Sequence, residues 1–204
     1  VAWVLNDPQA TLDRKLDDAL RLLAKVRVQR LGDEMIARGG TAVRRGPFAG
    51  MALADRSSEG CYVPKLLGTY ECELHPVIET FPEGGYDTVI DLGCAEGYYA
   101  VGLALLLPGA RMFAHDIDPD AREMCAALAR RNGVAERVIV GGEMGTDDLE
   151  LFAGHRSLIV CDIEGAEVAL LDPARAPMLR SADLLVERHE HARPGTAALL
   201  RQCF

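Results

Sequence analysis

Four acidic side chains stand directly behind apolar runs: Asp91 after TVI, Asp116 after MFAH, Asp162 after LIVC, and Glu187 after DLLV. A charge that ends a buried stretch must cap the next helix or meet a ligand, because desolvating it alone is costly. The segment after Asp91 reads LGCAEG, in which Gly93 and Gly97 permit tight turns and close approach of a ligand to backbone. A helix starting there would offer free N–H groups suited to a carboxylate. Glu187, His189 and His191 alternate, so on a strand all three project to one face. Beside Asp162 they would form either a base cluster, histidine exchanging protons near neutral pH, or a divalent-metal site.

The elements that must hold these residues emerge from the hydrophobic pattern. Strand-like YDTVID, RMFAHD, RVIVGG, SLIVCD and DLLVERHE alternate with helix-like YYAVGLALLL, PDAREMCAALARRN, DDLELF and EVALL, and TAALLRQCF closes the chain as a helix. Such alternation predicts right-handed crossovers and a doubly wound, mostly parallel α/β sheet covered on both faces. Ahead of it, residues 11–38 space Leu12, Leu16, Leu20, Leu23, Val26, Leu31 and Met35 as one helical stripe, stopped by Gly39-Gly40. This helix serves as a packing cap or a homodimer surface. A Gly/Pro-rich connector, GGTAVRRGPFAGMALADRSSEG, predicts a short hairpin and a loop, and LLGTYECELHPVIETF leads into another helix. Residues 1–64 thus form a helical extension with its connector, and residues 65–204 the main domain.

In a doubly wound sheet, ligands bind beyond the carboxyl ends of the strands where the strand order reverses. A dinucleotide would need G-x-G-x-x-G, but Ala95 holds the middle place and Glu96 would set negative charge beside phosphates. S-adenosylmethionine carries no phosphate and offers an ammonium, a sulfonium and a ribose diol to carboxylates. Asp116 is placed to accept from both ribose hydroxyls. The glycine spacing and Glu96 therefore favour the methyl donor over a nicotinamide dinucleotide.

DLGCAEGYYAVGLA followed by AHDIDPDARE resembles the first two motifs of class I S-adenosylmethionine-dependent methyltransferases. DIEGAE at 162–167 and LLVERHEH with Glu187 resemble the FkbM-like group within them, as does the upstream KLLGTYECEL. The resemblance implies that Asp91, Gly93, Cys94, Ala95 and Gly97 line the methionine end, with Glu96 near the ammonium. Asp116 would hold the ribose and Ile117 pack on the adenine, with Gly142, Glu143 and Met144 walling its far side. Tyr70 and Glu71 would close over the donor, and Asp162 would face the sulfonium or the acceptor. Asp162, Glu187 and His189 would carry the catalysis, acting on oxygen of a small molecule or sugar-containing metabolite. The family pattern also has two further strands after the fifth, and the sequence reaches Phe204 before them; an unpaired edge there would invite association.

Charge and composition exclude other classes. Residues 1–50 hold 9 basic and 6 acidic side chains, net +3, whereas residues 51–204 hold 13 and 25, net −12. So acidic a domain repels a phosphate backbone, which disfavours a nucleic-acid partner. The longest apolar stretch, Tyr98 to Leu107, is far short of the roughly 20 residues of a membrane span. Six scattered cysteines without a CxxC pair read as reduced, buried thiols, and no signal peptide is visible, so a cytoplasmic protein is expected. Local roles are expected of Cys94 and His115 in packing, His75 at a helix boundary, and Asp118 as a helix cap. The rival to an enzyme is a catalytically silent domain that binds the donor and serves as an interaction module.

Overall fold

The alternating pattern folds into five parallel strands. The structure is a computed structural model describing residues 2–54 and 61–204, so the last residues of the Gly/Pro-rich connector lie outside the described residues. The strands are β1 (Thr88–Leu92), β2 (Arg111–His115), β3 (Val138–Gly141), β4 (Ser157–Cys161) and β5 (Asp183–Val186), in the order β3-β2-β1-β4-β5. The order reverses between β1 and β4, which puts the expected binding crevice beyond Leu92 and Cys161.

Helices in chain order are α1 (Ala2–Leu5), α2 (Leu12–Gly39), α3 (Tyr62–Leu67), α4 (His75–Ile78), α5 (Tyr98–Leu106), α6 (Pro119–Arg131), α7 (Thr146–Leu149), α8 (Glu167–Leu170) and α9 (Thr196–Cys203). Alternation along the strands divides the core into two layers. Val89, Met112, Ala114, Leu158 and Val160 face one cluster with α5 and α6, whereas Ile90, Leu92, Ile159 and Cys161 face the other with Leu149, Leu171 and Leu179. Every residue of β1 and β4 is buried, as strands covered on both sides must be.

Several expectations shift. The connector's expected hairpin closes on one antiparallel bridge, Ala42 to Ala52, with Val43 N–H donating to the Met51 carbonyl and Leu53 N–H to the Thr41 carbonyl. Its Val43, Phe48, Met51 and Leu53 are buried in the same cluster as α5. Residues on both sides of the boundary between 64 and 65 thus share one core cluster. Gly102 of α5 makes room for this contact: a Cβ there would lie 2.6 Å from the Phe48 ring. The segment after residue 66 makes only the single turn α4 and a 3-10 turn at Phe81–Gly84, because Pro76 and Pro82 each begin a new turn. α2 forms as expected, with Thr11 Oγ1 accepting from Arg14 N–H. Among the described residues it meets the main core cluster near its end, through Met35 and Ile36 and through Gly32 against Tyr62; Ala19 is also buried, while Leu12, Leu16, Leu20 and Leu23 stay exposed.

β5 is shorter than expected. Its ladder ends where Glu187 N–H donates to the Cys161 carbonyl, and Arg188 to His191 leave the sheet. Glu187, His189 and His191 therefore do not share a strand face. His189 turns inward, 5% exposed, whereas His191 stays exposed with its ring edge-on to that of His189.

Arg137, just before β3, closes the other end of the layer. Its guanidinium donates to the carbonyls of Ala104, Leu107 and Ala110, satisfying groups that the end of α5 leaves open. Arg137→Ala should destabilise the chain by about 1–3 kcal/mol, read as a lower urea midpoint at unchanged slope; an unaltered midpoint would show these bonds to be idle.

Candidate functional site

The loop after β1 is built to hold an unusual backbone. Gly93, Ala95 and Gly97 all have positive φ (84°, 46° and 90°), and α5 starts immediately after them. Gly93 is obligatory for a second reason: a Cβ there would stand 1.8 Å from the Asp162 carbonyl oxygen, so β1 and β4 approach as only glycine allows. The N–H groups of Gly93 and Cys94 donate to the His115 carbonyl at 2.8 and 3.0 Å. Asp116 completes the anchorage, its Oδ2 accepting from Ala95 N–H at 2.9 Å and its Oδ1 from Asp118 N–H at 2.8 Å. Each oxygen keeps a lone pair for a hydroxyl.

Beyond this loop lies a cleft of about 350 Å³, within the size range of small-molecule sites. Of the residues expected to bind the donor, Tyr70, Glu71, Asp91, Gly93, Cys94, Ala95 and Asp162 line it, as does Glu187. Gly97 packs instead against Cys125. Asp116, Ile117, Gly142, Glu143 and Met144 lie outside this cleft, beyond the ends of β2 and β3. There Ile117 is exposed, Gly142 accepts from His115 Nδ1 at 2.8 Å, and Met144 leans onto the core beneath. The local roles hold: His115 bonds to its neighbour strand's loop, His75 opens α4, and Asp118 Oδ1 caps α6 through Asp120 N–H. Cys94 is buried, and its thiol is pushed up by the neighbouring Cys125 and by burial, which makes it inert packing. Cys94, Cys125 and Cys161 are the buried thiols; Cys61 and Cys72 are exposed.

Glu96 departs from expectation. It is buried, and its Oε1 accepts from Lys65 Nζ at 2.6 Å rather than awaiting an ammonium in the cleft. A buried carboxylate requires a cation, and α3 supplies one. Lys65 also lies 4.8 and 5.5 Å from the ring centroids of Tyr70 and Tyr98, both cleft residues, and lines the cleft itself. Tyr99 donates to Glu71, while burial and then Glu71 push the Tyr98 hydroxyl up to about 12, so both phenols stay neutral. Sequence reasoning misses Lys65, Tyr98 and Tyr99. A lysine inside apolar YVPKLL is the one signal that could have pointed there.

At the opposite end, Asp162, Glu187 and His189 come together, joined by Glu164 and Glu167, the two other acids of DIEGAE, which sequence reasoning also misses. His189 Nδ1 bonds Glu167 Oε1 at 2.6 Å, and Glu167 is fully buried. Nε2 faces Asp162 Oδ1 and Glu164 Oε2, both at 3.4 Å, and Glu187 Oε1 at 3.9 Å. Burial opposes an imidazolium at His189, but Glu167, Glu164 and Asp162 outweigh it and hold its pKa above the ordinary value. Burial, then the Glu187 carboxylate, pushes Asp162 up to about 7. Glu167 is lowered: burial opposes its charge, and the Gly165 N–H and His189 overcome that. The arrangement concentrates four carboxylates around one imidazole, beside the cleft.

A parallel sheet reversed at β1/β4, a glycine-bearing loop after β1 and an acid after β2 define a Rossmann-like methyltransferase fold. A candidate O-methyltransferase of known structure from Klebsiella pneumoniae superposes with a TM-score of 0.50 at 14% identity, over 65% of this chain and 67% of that one. In sequence the chain is 38% identical over 100 residues to ribosomal protein L11 methyltransferase of Pelotomaculum thermopropionicum, covering 48% of this chain and 31% of that protein. It is 36% identical over 73 residues to release factor glutamine methyltransferase of Chlorobaculum tepidum, covering 33% and 25%. The matched stretches thus span less than a third of either relative. No family model matches the chain. Together these similarities support the methyltransferase fold and place the matched stretch beside two methyltransferases, without singling out the FkbM-like group.

If the Lys65–Glu96 pair is structural, Lys65→Met should destabilise the fold by about 3–5 kcal/mol by stripping a buried carboxylate of its cation. Adding Glu96→Gln should recover much of that loss. Chemical denaturation of both variants measures it, and a double variant no better than Lys65→Met would refute the assignment.

Proposed function

We propose that the chain binds S-adenosylmethionine across the crest of the β1 loop and transfers its methyl to an oxygen of a small molecule or sugar-containing metabolite. One observation carries this reading: a strained glycine loop is fixed between an acid that still has free lone pairs, Asp116, and a cleft ended by carboxylates, Asp91 and Asp162. Its ligand should be cationic at one end and bear a diol at the other. A dinucleotide's phosphates would meet carboxylates there. The donor's methionine portion would enter the cleft beside Asp91, Gly93 and Ala95, and Asp116 would accept from the ribose hydroxyls. Tyr70 and Glu71 would form the cover.

Methyl transfer is an in-line displacement: the acceptor oxygen forms a bond to the methyl carbon as the carbon–sulfur bond breaks, and sulfur leaves neutral. The protein's work is alignment, exclusion of water and removal of the hydroxyl proton. Asp162 and Glu187 line the acceptor end, with His189 behind them, where that proton would leave. The acidic surroundings and the bounded cleft support a small acceptor. The sequence relatives act on proteins by name, so a protein acceptor is the rival outcome.

Asp116→Asn should weaken S-adenosylhomocysteine binding by about 1.5–3 kcal/mol in calorimetry, the scale of charge-assisted hydrogen bonds. Label transfer from methyl-labelled donor over a library of hydroxylated metabolites, with a protein extract as a separate arm, identifies the acceptor class. Saturable binding of a nicotinamide dinucleotide that S-adenosylhomocysteine cannot displace would sink the reading.

A further inference from the structure

The acidic end of the cleft contains more than a base. His189 has a side chain only 6% exposed, yet its Nε2 makes no hydrogen bond among the described residues. The nearest oxygens, at 3.4, 3.4 and 3.9 Å, surround it without accepting from it in good geometry. Asp162 Oδ1 is likewise buried and has no hydrogen-bond partner among the described residues. One ligand atom each from Asp162, Glu164 and His189 lies within 4.8 Å of the others. Two metal–ligand bonds of about 2.1 Å can span the 3.4 Å that separates Nε2 from each of these oxygens.

Glu167 supplies what such an arrangement requires from outside. Its Oε1 takes the Nδ1 proton of His189 at 2.6 Å and also accepts from Gly165 N–H at 2.9 Å. In the neutral ring that leaves Nε2 as the lone-pair nitrogen and fixes it towards Asp162 and Glu164, the carboxylate–histidine relation that orients metal-binding imidazoles. Among charged neighbours the balance is four carboxylates to one imidazole, so a divalent ion would relieve repulsion that a single proton cannot.

We propose that Asp162, Glu164 and His189 form a divalent-cation site, held in orientation by Glu167 with Glu187 at its rim. The inference rests on the methyl-transfer reading and deepens it. One imidazole nitrogen with carboxylate oxygens suits Mn²⁺ or a similar first-row ion. Asp162 lines the cleft, so the ion would face the acceptor, bind its hydroxyl oxygen and make that hydroxyl easier to deprotonate. His189 then acts as a ligand, and the proton leaves to a neighbouring carboxylate or water.

The test is Mn²⁺ titration of the full chain after chelator treatment, read by electron paramagnetic resonance, with S-adenosylhomocysteine binding measured separately by calorimetry. One saturable Mn²⁺ per chain is expected. Glu164→Gln, at an exposed side chain outside the core, should weaken it at least tenfold, and His189→Ala should abolish it. Glu123→Gln, on the outer face of α6, should leave it unchanged. Circular dichroism confirms that each variant is folded. Absence of saturable Mn²⁺ binding, or equal affinity in Glu164→Gln, overturns the site whatever the donor does. Loss of S-adenosylhomocysteine binding with Mn²⁺ binding intact would instead strike at the methyl-transfer reading.

Discussion

Five parallel strands bring a set of acids to the carboxyl ends of the sheet and the loops beyond them, and each acid must be met there by a cation, an N–H group or a proton. That electrostatic constraint organises the site. Asp116 is met by the backbone of its own and the preceding loop, Glu96 by Lys65, Glu167 by His189 and Gly165, and Asp162 by a proton, for which burial and then the Glu187 carboxylate raise its affinity. The solutions differ because the partners differ in reach. Backbone groups fix the loop that would hold the ribose, and a long lysine comes across from a helix outside the sheet. The last acids are gathered around a single imidazole.

The two ends of the cleft consequently have opposite characters. At one end Lys65, Tyr70, Tyr98 and Tyr99 surround a buried ion pair with aromatic rings and neutral hydroxyls. At the other, Asp162, Glu164, Glu167 and Glu187 gather around the His189 imidazole. A ligand spanning both ends should therefore carry its positive charge towards Asp91 and Asp162, and its apolar surface towards the tyrosines. A methyl sulfonium set against an acceptor hydroxyl fits that polarity.

The sheet was legible because burial on both faces leaves unbroken apolar runs, and the acids and glycines behind those runs mark where strands stop. The Asp118 cap and the amphipathic α2 were legible for the same local reason. β5 was overextended because ERHEH alternates as a strand does, and spacing alone cannot reveal that Glu167, 22 residues earlier, draws His189 out of register. The loop motif says which residues are adjacent to Glu96, not that Lys65, 31 residues earlier, folds in against it. Long-range charge pairing was the missing information in both cases.

Glu164 carries a consequence of its own. It sits at φ 56° directly before Gly165, in a conformation that costs a side-chain-bearing residue on the order of 1–3 kcal/mol. Glycine or asparagine would rest there more comfortably, so selection for robustness alone would erode the glutamate. A position where comfort and charge pull in opposite directions is a natural place to look when sorting related chains into those that retain this chemistry and those that have abandoned it.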